Sequence, residues 1–384
     1  MVDDKVKAKK ENKGIGLALS GGGYRAGLYH LGSLWRLNEL GWLPKIDEYT
    51  SVSGGSIVAA YLAMRWDELD FDGVGTASNF QDIIIEPLRV MFATGIDIKA
   101  GFIGVFNPFT SAAEQLIKTY DKLLFKGKTL QDIPGERPRF TLYATGLQTA
   151  VSLRFAQPYM ADYRIGKIDI PDISLATVVA ASSGFPPVFC PVKLKFKSSD
   201  WSYFKQNDGG KPELFDNDDI KEELQLGDGG IYDNLGLERI WNSKATVLVS
   251  DAGGKFGVKP TLGFDYLRRA LRVVDIMTEQ TRALRKRKLI DDFTQKIRGG
   301  AYWGIATEIE NYQLDQNGKA PALLSDNLKT ASMKDIRTRL NHFKADEQEQ
   351  LIDWGYALTD AAMRRYVLDD DDRGKLPYPD RFDE

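Results

Sequence analysis

The sequence is poor in two residue types that carry much of protein chemistry, histidine and cysteine. Its 384 residues include two histidines, His30 and His342, and one cysteine, Cys190. A single cysteine excludes an internal disulfide framework and is typical of proteins from a reducing compartment. Because there are only two histidines, few residues are available for a mechanism in which histidine is the general base.

Long apolar runs and a large excess of one charge are also missing. No run approaches the roughly 20 apolar residues that a membrane-spanning helix needs. The charged opening, residues 1–13, has none of the apolar stretch of a secretory signal. The net charge is only −3, which provides no global field for nucleic acid. We therefore expect a cytoplasmic protein without nucleic-acid partners, whose contact with membranes is peripheral.

Three consecutive glycines, Gly21, Gly22 and Gly23, follow the short apolar run at 15–19. The run predicts a strand, and apolar residues at helical spacing after the glycines predict a helix that ends near Gly41. A glycine loop between a strand and a helix leaves backbone N–H groups free to bind an anion.

The same loop also matches a loose dinucleotide-binding pattern. That pattern requires an acidic residue at the end of the next strand. Asp47 and Glu48 lie at the right distance but open their strand. A glycine-rich turn without any ligand is the other alternative.

A second glycine-containing turn, TSVSGGS at residues 50–56, lies between an extended run and an apolar helical run. A serine at such a turn can occupy a strained apex with its hydroxyl exposed, provided that its neighbours are small. Ser51 and Gly55 satisfy this condition on either side of Ser53, and Gly54 adds backbone freedom. The alternative is that Ser53 only caps the helix that follows.

A nucleophilic serine needs a base. His30 lies on the first predicted helix, and His342 lies in a charged segment without loop punctuation, so a conventional triad is not expected. Asp228 is the carboxylate alternative, because it occupies the glycine-rich turn GDGGIYDN at the end of an apolar segment. A plain turn or a cation-binding loop would have similar residues. The acidic residues lack the spacing of a calcium loop, and we predict no metal site.

The rest of the chain has a coarse pattern. It predicts two strands over 139–157, a small-residue helix over 173–183, a polar surface segment over 196–223, a buried strand over 245–254, helices over 262–295 and 333–366, and a frayed acidic tail from Asp369.

SGGGYR, SVSGG and DGGIYDN occur in this order, and together they resemble the motifs of the patatin-like phospholipases. The opening SGGGYRA is also similar to that of the related cytosolic phospholipase catalytic domains. The segment AASSGFPPVFCPV at 180–192 is similar to the proline-bearing segment of the family. The resemblance covers roughly residues 14–254. Two residues depart from the family pattern: Ser51 stands at the usual first glycine of the elbow, and Ala26 stands where many members have glycine.

The resemblance implies a three-layer α/β/α fold with a nucleophile elbow, here over 14–254, followed by a mainly helical C-terminal extension over 255–384. It also implies a Ser53–Asp228 dyad that works without histidine and without a cofactor. The implied site residues are Gly21, Gly22, Gly23 and Arg25 in the oxyanion loop, Ser51, Gly54 and Gly55 in the elbow, and Gly229 and Gly230 beside the aspartate.

The function implied by the resemblance is hydrolysis of acyl esters in membrane phospholipids. Some bacterial relatives are effectors in antiviral defence that a nucleotide second messenger switches on, so an anionic regulator is a further expectation. Alternatives are a serine esterase or acyltransferase for non-lipid substrates, and a catalytically silent lipid-binding signalling module.

A dense basic run, Arg282–Lys288, lies on a predicted helix, with Arg268, Arg269 and Arg272 upstream. A solvated helix face is one interpretation. The other is contact with an anionic membrane, to which each basic residue contributes about 1 kcal/mol.

Overall fold

The structure is a computed structural model of the chain. It describes residues 12–96, 111–135, 137–186, 189–204, 210–254, 260–261, 263 and 265–382. Most of the charged opening at 1–13 therefore lies outside the described residues, as do Pro187 and Val188 of the proline-bearing segment. The same applies to 205–209 of the polar segment and to 255–259 at the start of the predicted extension.

A mixed ten-stranded sheet forms the centre of the described structure. Its strands are β1 (Ile15–Leu19), β2 (Glu48–Val52), β3 (Arg139–Gly146), β4 (Val151–Ala156), β5 (Tyr159–Asp162), β6 (Gly166–Asp169), β7 (Val192–Lys195), β8 (Glu223–Asp228), β9 (Thr246–Asp251) and β10 (Gly299–Gly304).

Helices flank this sheet. They are α1 (Gly23–Glu39), α2 (Gly54–Met64), α3 (Glu86–Ala93), α4 (Ala112–Tyr120), α5 (Leu175–Ser183), α6 (Asp218–Glu222), α7 (Gly230–Asp233), α8 (Tyr266–Thr294), α9 (Leu328–Ser332) and α10 (Ala345–Tyr366). Among the described residues, none of these helices is both long and apolar enough to cross a membrane.

The strand order β10-β9-β1-β2-β3-β4-β5-β6 places the two earliest strands in the middle of the sheet. The five strands from β10 to β3 are parallel neighbours. From β3 to β6 the pairs are antiparallel, and β8 joins the far end of β3 in antiparallel register. The carboxyl ends of β1 and β2 therefore meet at one edge of the sheet, and β8 brings its own end to the same place.

The alternation of side chains along the central strands builds a core on each face of the sheet. In β1, Leu17 and Leu19 point into the larger core, and Ala18 points into the smaller one. Because successive strand side chains point to opposite faces, a parallel strand covered on both sides must be apolar throughout. The IGLAL run meets this requirement, and the sequence-based prediction of β1 is confirmed.

The larger core lies between the sheet and a pair of packed helices, α1 and α10. Their backbones approach so closely that a Cβ added to Gly32 would lie 1.8 Å from the Ile352 carbonyl oxygen. A Cβ added to Gly355 would lie 2.0 Å from the Tyr29 carbonyl oxygen. The C-terminal third is thus packed against the first helix, and β10 extends the sheet beside β9.

Four details differ from the sequence-based expectations. The predicted helix at 333–366 begins only at Ala345, after an irregular stretch. The strand β10 was missed because its GGAYWG sequence is short and glycine-rich, and glycine is depleted in strands. The polar surface segment buries Trp201, whose indole N–H donates to the Lys221 carbonyl. The acidic tail is not frayed, because its charges and aromatic rings have partners.

Those tail contacts are specific. The guanidinium of Arg364 donates a hydrogen bond to the Asp371 carboxylate in the tail at 2.7 Å. The Tyr378 N–H donates to the Asp353 carboxylate at 3.1 Å, and Phe382 is buried. An acidic composition therefore does not prevent order here, because Arg36 of α1 and Arg364 of α10 form ion pairs with aspartates of the tail.

We predict that Gly32→Ala destabilises the fold. The new Cβ would overlap the backbone of α10, so the free energy of unfolding should fall by ~1–3 kcal/mol. This loss should exceed the roughly 1 kcal/mol that alanine gains over glycine in a helix. Denaturant unfolding measures the difference.

Gly73→Ala is the matched control, because no atom lies within 4 Å of its added Cβ. Its stability should stay within about 0.5 kcal/mol of the unsubstituted chain. Equal stability of the two variants would contradict the close α1–α10 contact.

Candidate active site

Ser53 forms the turn between β2 and α2 at the carboxyl edge of the sheet. Its backbone has φ 51° and ψ −120°, in a region that non-glycine residues rarely adopt and that costs on the order of 1–3 kcal/mol. The Ser53 side chain makes no helix-capping bond, so the alternative of a simple helix cap is not supported.

The Ser53 hydroxyl donates a hydrogen bond to Asp228 Oδ2 at 2.8 Å. The two residues are 175 positions apart in the chain. Both side chains are almost fully enclosed, with Ser53 7% and Asp228 4% exposed. The structure thus brings together the nucleophile and the carboxylate that the sequence motifs predicted.

The Asp228 backbone and its second carboxylate oxygen are fixed by neighbouring groups. Its N–H donates to the Gly184 carbonyl at 3.1 Å, and its carbonyl accepts from the Thr145 hydroxyl at 2.8 Å. Asp228 Oδ1 accepts from the Gly230 N–H at 2.7 Å. The second glycine of the turn, Gly229, donates its N–H to the Ser182 carbonyl at 3.0 Å.

Burial raises the pKa of Asp228 to about 6, although the hydrogen bonds from Gly230 and Ser53 oppose the shift. An ordinary aspartate, with a pKa of about 3.9, is a weak base at neutral pH. At neutral pH Asp228 is still mainly ionised, and its affinity for a proton is closer to that needed for a general base.

The glycine loop lies directly beside Ser53. Among the described residues, none accepts a hydrogen bond from the N–H of Gly22, Gly23 or Gly54. Gly23 and Gly54 are the first residues of α1 and α2, so their N–H groups are the ones that a helix leaves unpaired. Three free donors near the Ser53 hydroxyl are of the kind that can stabilise a developing negative charge.

Two of these glycines are required by the closeness of the backbones. A Cβ on Gly54 would lie 2.0 Å from the Gly23 carbonyl oxygen. Gly23 has φ +61°, and a Cβ there would lie 1.5 Å from the Thr338 carbonyl oxygen. The glycine loop, the elbow and the irregular stretch before α10 therefore touch one another through main-chain atoms.

The structure changes the expected part of Gly21. Its N–H already donates to the Asn234 carbonyl at 3.0 Å, so it is not a free donor for an oxyanion. A Cβ on Gly21 would lie 3.2 Å from the Ser53 Cβ. Gly21 thus allows the loop to approach the elbow.

Arg25 is also placed differently from the sequence-based prediction. Its Nη1 donates to the carbonyls of Lys334 and Ile336 at 2.7 and 2.8 Å, and its Nη2 donates to the Ala252 carbonyl at 2.9 Å. Both terminal nitrogens are therefore engaged by main-chain oxygens. Arg25 braces the chain segments around the glycine loop and does not point a free charge at the oxyanion position.

Neither histidine is a hydrogen-bond partner of the dyad. His30 is buried, and its ring nitrogens contact the Ser250 hydroxyl and the Ser20 carbonyl. Burial lowers the pKa of His30 to about 4, which keeps the ring neutral. His342 Nδ1 lies 3.1 Å from the Ala93 carbonyl oxygen. These contacts agree with the expectation that a Ser-His-Asp triad is not used.

The dinucleotide alternative has no support in the geometry. Asp47 Oδ2 accepts from the Ile15 N–H, at the opposite edge of the sheet from the glycine loop. Glu48 forms an ion pair with Arg239 and accepts from the Thr141 hydroxyl. In the described part of the chain, no group of three histidine, cysteine, aspartate or glutamate side chains has the arrangement of a metal site.

The basic run on α8 is mostly engaged within the molecule. Arg282 is buried and pairs with Asp251 and Glu279. Arg285 pairs with Glu238 at 3.2 Å, and Lys288 pairs with Asp292 at 2.6 Å. The ammonium of Lys286 lies 4.4 Å from the centre of the Tyr302 ring. Four of the five charges of the run therefore have a partner within the molecule, and Arg287 is exposed.

Sequence reasoning missed four residues that support the site: Ser56, Thr145, Ser182 and Asn234. Ser182 lay in the proline-bearing segment, but nothing in its small-residue helix distinguished it from a packing residue. Asn234 follows the aspartate turn, and its side-chain oxygen lies where a Cβ on Gly21 or Gly230 would be. Their roles depend on contacts between distant segments, which spacing alone does not reveal.

The mixed α/β fold carries a serine, on a strand-to-helix turn, that is hydrogen-bonded to a buried carboxylate, which is the arrangement of a candidate hydrolase site. Residues 17–241, more than half of the chain, match the family described as patatin-like phospholipase. The chain therefore belongs to the patatin-like phospholipase family. No curated protein matches it.

Several solved structures are similar in fold. The human GIVD cytosolic phospholipase A2 has a TM-score of 0.48 at 10% identity, over 91% of this chain and 59% of that chain. VipD from Legionella pneumophila has a TM-score of 0.32 at 16% identity, over 90% of this chain and 67% of that chain. The type III effector ExoU has a TM-score of 0.33 at 9% identity, over 94% of this chain and 54% of that chain. This chain thus spans less than two thirds of the human enzyme's chain.

We predict that activity rises with pH through a midpoint near pH 6. Since the pKa of Asp228 is raised to about 6, the carboxylate becomes protonated, and useless as a base, as the pH falls below that value. The measurement is kcat/KM for a soluble ester as a function of pH, which reports groups of the free enzyme.

His342→Gln is the control, because histidine is the other side chain that commonly titrates in this range. The variant should keep the same midpoint. A midpoint near 4, the ordinary value for aspartate, would contradict the account of the buried carboxylate.

Proposed function

We propose that the protein is a serine hydrolase that cleaves acyl esters of membrane phospholipids through the Ser53–Asp228 dyad. The observation that carries this proposal is the 2.8 Å hydrogen bond from a serine hydroxyl, on a backbone with φ 51°, to a buried carboxylate. A structural serine has no need of such a strained position, and membership of the family makes a lipid ester the natural substrate.

In the first step, Ser53 Oγ attacks the ester carbonyl carbon while its proton moves to Asp228 Oδ2. The carbonyl π electrons move to oxygen, giving a tetrahedral oxyanion. When this intermediate collapses, the bond to the alcohol breaks, and the proton on Asp228 passes to the leaving oxygen. The lysophospholipid leaves, and the acyl group remains on Ser53.

In the second step, water attacks the acyl-enzyme and gives its proton to Asp228. Collapse of the second tetrahedral intermediate breaks the bond to Ser53 Oγ, which recovers the proton from Asp228. A free fatty acid is released, and the dyad returns to its starting state. A single carboxylate thus acts as base and acid in turn, as microscopic reversibility requires.

The oxyanion of both intermediates would be bound by the free N–H groups of Gly22, Gly23 and Gly54. Loss of one such donor typically costs about 3–4 kcal/mol of transition-state stabilisation. Gly21 and Arg25 support this site indirectly, by close packing and by bracing the chain around the loop. These donors are fixed before substrate binds, so little reorganisation accompanies the reaction.

A partly exposed apolar rim beside the dyad supports a lipid substrate. Leu147 is 42% exposed. It lies beside Gly227, the residue before Asp228, because its Cδ2 would be 3.2 Å from a Cβ added to that glycine. Phe185 is 43% exposed and follows Gly184, which holds the Asp228 N–H. Exposed apolar side chains near the carboxylate turn suit an acyl chain or the surface of a bilayer.

We further propose peripheral contact with the membrane through this rim rather than through the basic run of α8, most of whose charges are paired within the molecule. The cytoplasmic location, a regulator of nucleotide second-messenger type and a role in antiviral defence stay predictions from the family resemblance.

The first prediction from this proposal concerns the dyad. Ser53→Ala and Asp228→Ala should each lower turnover by at least about a thousandfold, since residues that act as a unit cannot replace one another. The measurement is mass spectrometry of the lipid products from mixed phospholipid vesicles. Fatty acid and lysophospholipid are the expected products, and their release should depend on both residues.

Thermal unfolding of each variant is the control, and both should remain folded. Substantial turnover in either variant would contradict the dyad. Hydrolysis of soluble esters without attack on vesicles would instead indicate a non-lipid esterase, and inactivity of the unsubstituted protein would indicate a silent module.

The second prediction concerns the rim. The double variant Leu147→Asp/Phe185→Asp should lose about tenfold or more of its activity on vesicles and keep most of its activity on a short soluble ester, because charge near an acyl-binding surface is costly to desolvate. The ratio of the two activities is the measurement.

Val74→Asp is the matched control. Val74 is 71% exposed and lies beside Gly41. Gly41 follows the C-terminal end of α1, whereas the glycine loop lies at the N-terminal end of this helix. This variant should keep the ratio unchanged. An unchanged ratio in the double variant as well would show that the rim does not contact lipid.

A further inference from the structure

Ser182 contacts both halves of the dyad, although it does not touch the reacting atoms. It lies in the last turn of α5 and is fully buried. Its hydroxyl accepts a hydrogen bond from the Ser53 N–H at 2.9 Å. Its carbonyl accepts from the Gly229 N–H at 3.0 Å, beside Asp228. One residue thus connects the main chain of the nucleophile to the main chain of the carboxylate turn.

The end of α5 holds the carboxylate turn through a second bond. The Gly184 carbonyl accepts from the Asp228 N–H at 3.1 Å. The last carbonyls of a helix have no partner within the helix. Here the turn that bears Asp228 supplies those partners, so the position of the carboxylate is set by the end of α5.

The Ser182 hydroxyl belongs to a chain of buried serines beneath the elbow. It donates to Ser56 Oγ at 2.8 Å, and Ser56 Oγ lies 3.0 Å from Ser51 Oγ. Either hydroxyl can be the donor in the contact between Ser56 and Ser51. The Ser53 N–H donates to Ser182, and Ser182 donates to Ser56, so these two bonds run in one direction and each can strengthen the other.

This chain acts on the strained part of the elbow. The orientation of the peptide before Ser53 sets its φ of 51°, and the Ser53 N–H belongs to that peptide. If Ser182 lost its hydroxyl, that buried N–H would have no acceptor among the described residues. The peptide could then rotate, and the Ser53 hydroxyl would move relative to both Asp228 and the glycine loop.

We propose that Ser182 is a positioning residue for the Ser53–Asp228 pair, and that Ser56 and Ser51 extend its effect. This inference rests on the proposed function. It also gives a use to Ser51, the residue that departs from the glycine usual in the family elbow, because a glycine there could not complete the chain.

A matched control lies next to Ser182 on the same helix. Ser183 is also buried, and its hydroxyl contacts the Val179 carbonyl at 2.7 Å and the Tyr120 hydroxyl at 3.1 Å. None of these groups belongs to the dyad or to the serine chain. Ser182→Ala and Ser183→Ala therefore remove equivalent hydroxyls, and only one of them supports the nucleophile.

The experiment measures the rate at which a fluorophosphonate probe labels the full-length protein, together with kcat and KM for a soluble ester. Ser182→Ala should slow labelling and kcat by roughly ten- to hundredfold, while KM changes little. This factor is the free-energy cost of leaving a buried N–H without an acceptor, converted into a ratio of rates. Ser56→Ala and Ser51→Ala should cause losses that decrease along the chain. Ser183→Ala should stay within about twofold of the unsubstituted protein.

Two further measurements separate positioning from a general loss of structure. The midpoint of the pH profile should stay near 6 or rise slightly in Ser182→Ala, because the burial that raises the pKa of Asp228 is retained and only the hydrogen bond from Ser53, which lowers it, is weakened. Ser182→Thr, which keeps the hydroxyl, should restore most of the labelling rate. If Ser182→Ala does not fold, Ser56→Ala decides the question, and labelling at the unsubstituted rate would overturn the proposal.

Equal labelling rates for Ser182→Ala and Ser183→Ala would also overturn it. Failure of the proposed function has a different signature, since the unsubstituted protein would then show no labelling of Ser53 at all.

Discussion

The hydrogen bond between the Ser53 hydroxyl and the Asp228 carboxylate joins two segments that pair with successive parts of the same edge of β3. Ser53 follows β2, a parallel neighbour of β3, whereas Asp228 ends β8, an antiparallel neighbour of the far end of the same strand. The mixed character of the sheet is therefore what brings the pair together. Burial of the carboxylate then follows from its place between strand ends, and this burial raises its pKa to about 6.

A second constraint is the closeness of main chains around the pair. The elbow, the glycine loop and the stretch before α10 touch through backbone atoms at Gly23 and Gly54. Arg25 fixes the same region by binding carbonyls on two sides. The C-terminal third thus takes part in forming the candidate active site, even though the family resemblance covers only residues up to about 254. This explains why a chain with so few histidines can assemble a site from backbone donors and one carboxylate.

The sequence was most informative where a local pattern determines local structure. A five-residue apolar run, a glycine loop and a helical repeat are enough to predict β1 and α1, and small residues around Ser53 are enough to suggest an elbow. It was least informative where distant segments meet. Ser182 looks like any small residue in a tightly packed helix, Arg25 looks like a charge beside an anion site, and GGAYWG does not look like a strand. Their actual places depend on tertiary contacts that one sequence does not display.

The central claim is that Ser53 is a nucleophile activated by Asp228. The most direct measurement is peptide mapping by mass spectrometry after reaction with a fluorophosphonate. The account predicts one modified residue, Ser53, and no modification when Asp228 is replaced by alanine in a folded protein. Modification of another serine, or undiminished labelling of Ser53 without Asp228, would contradict it.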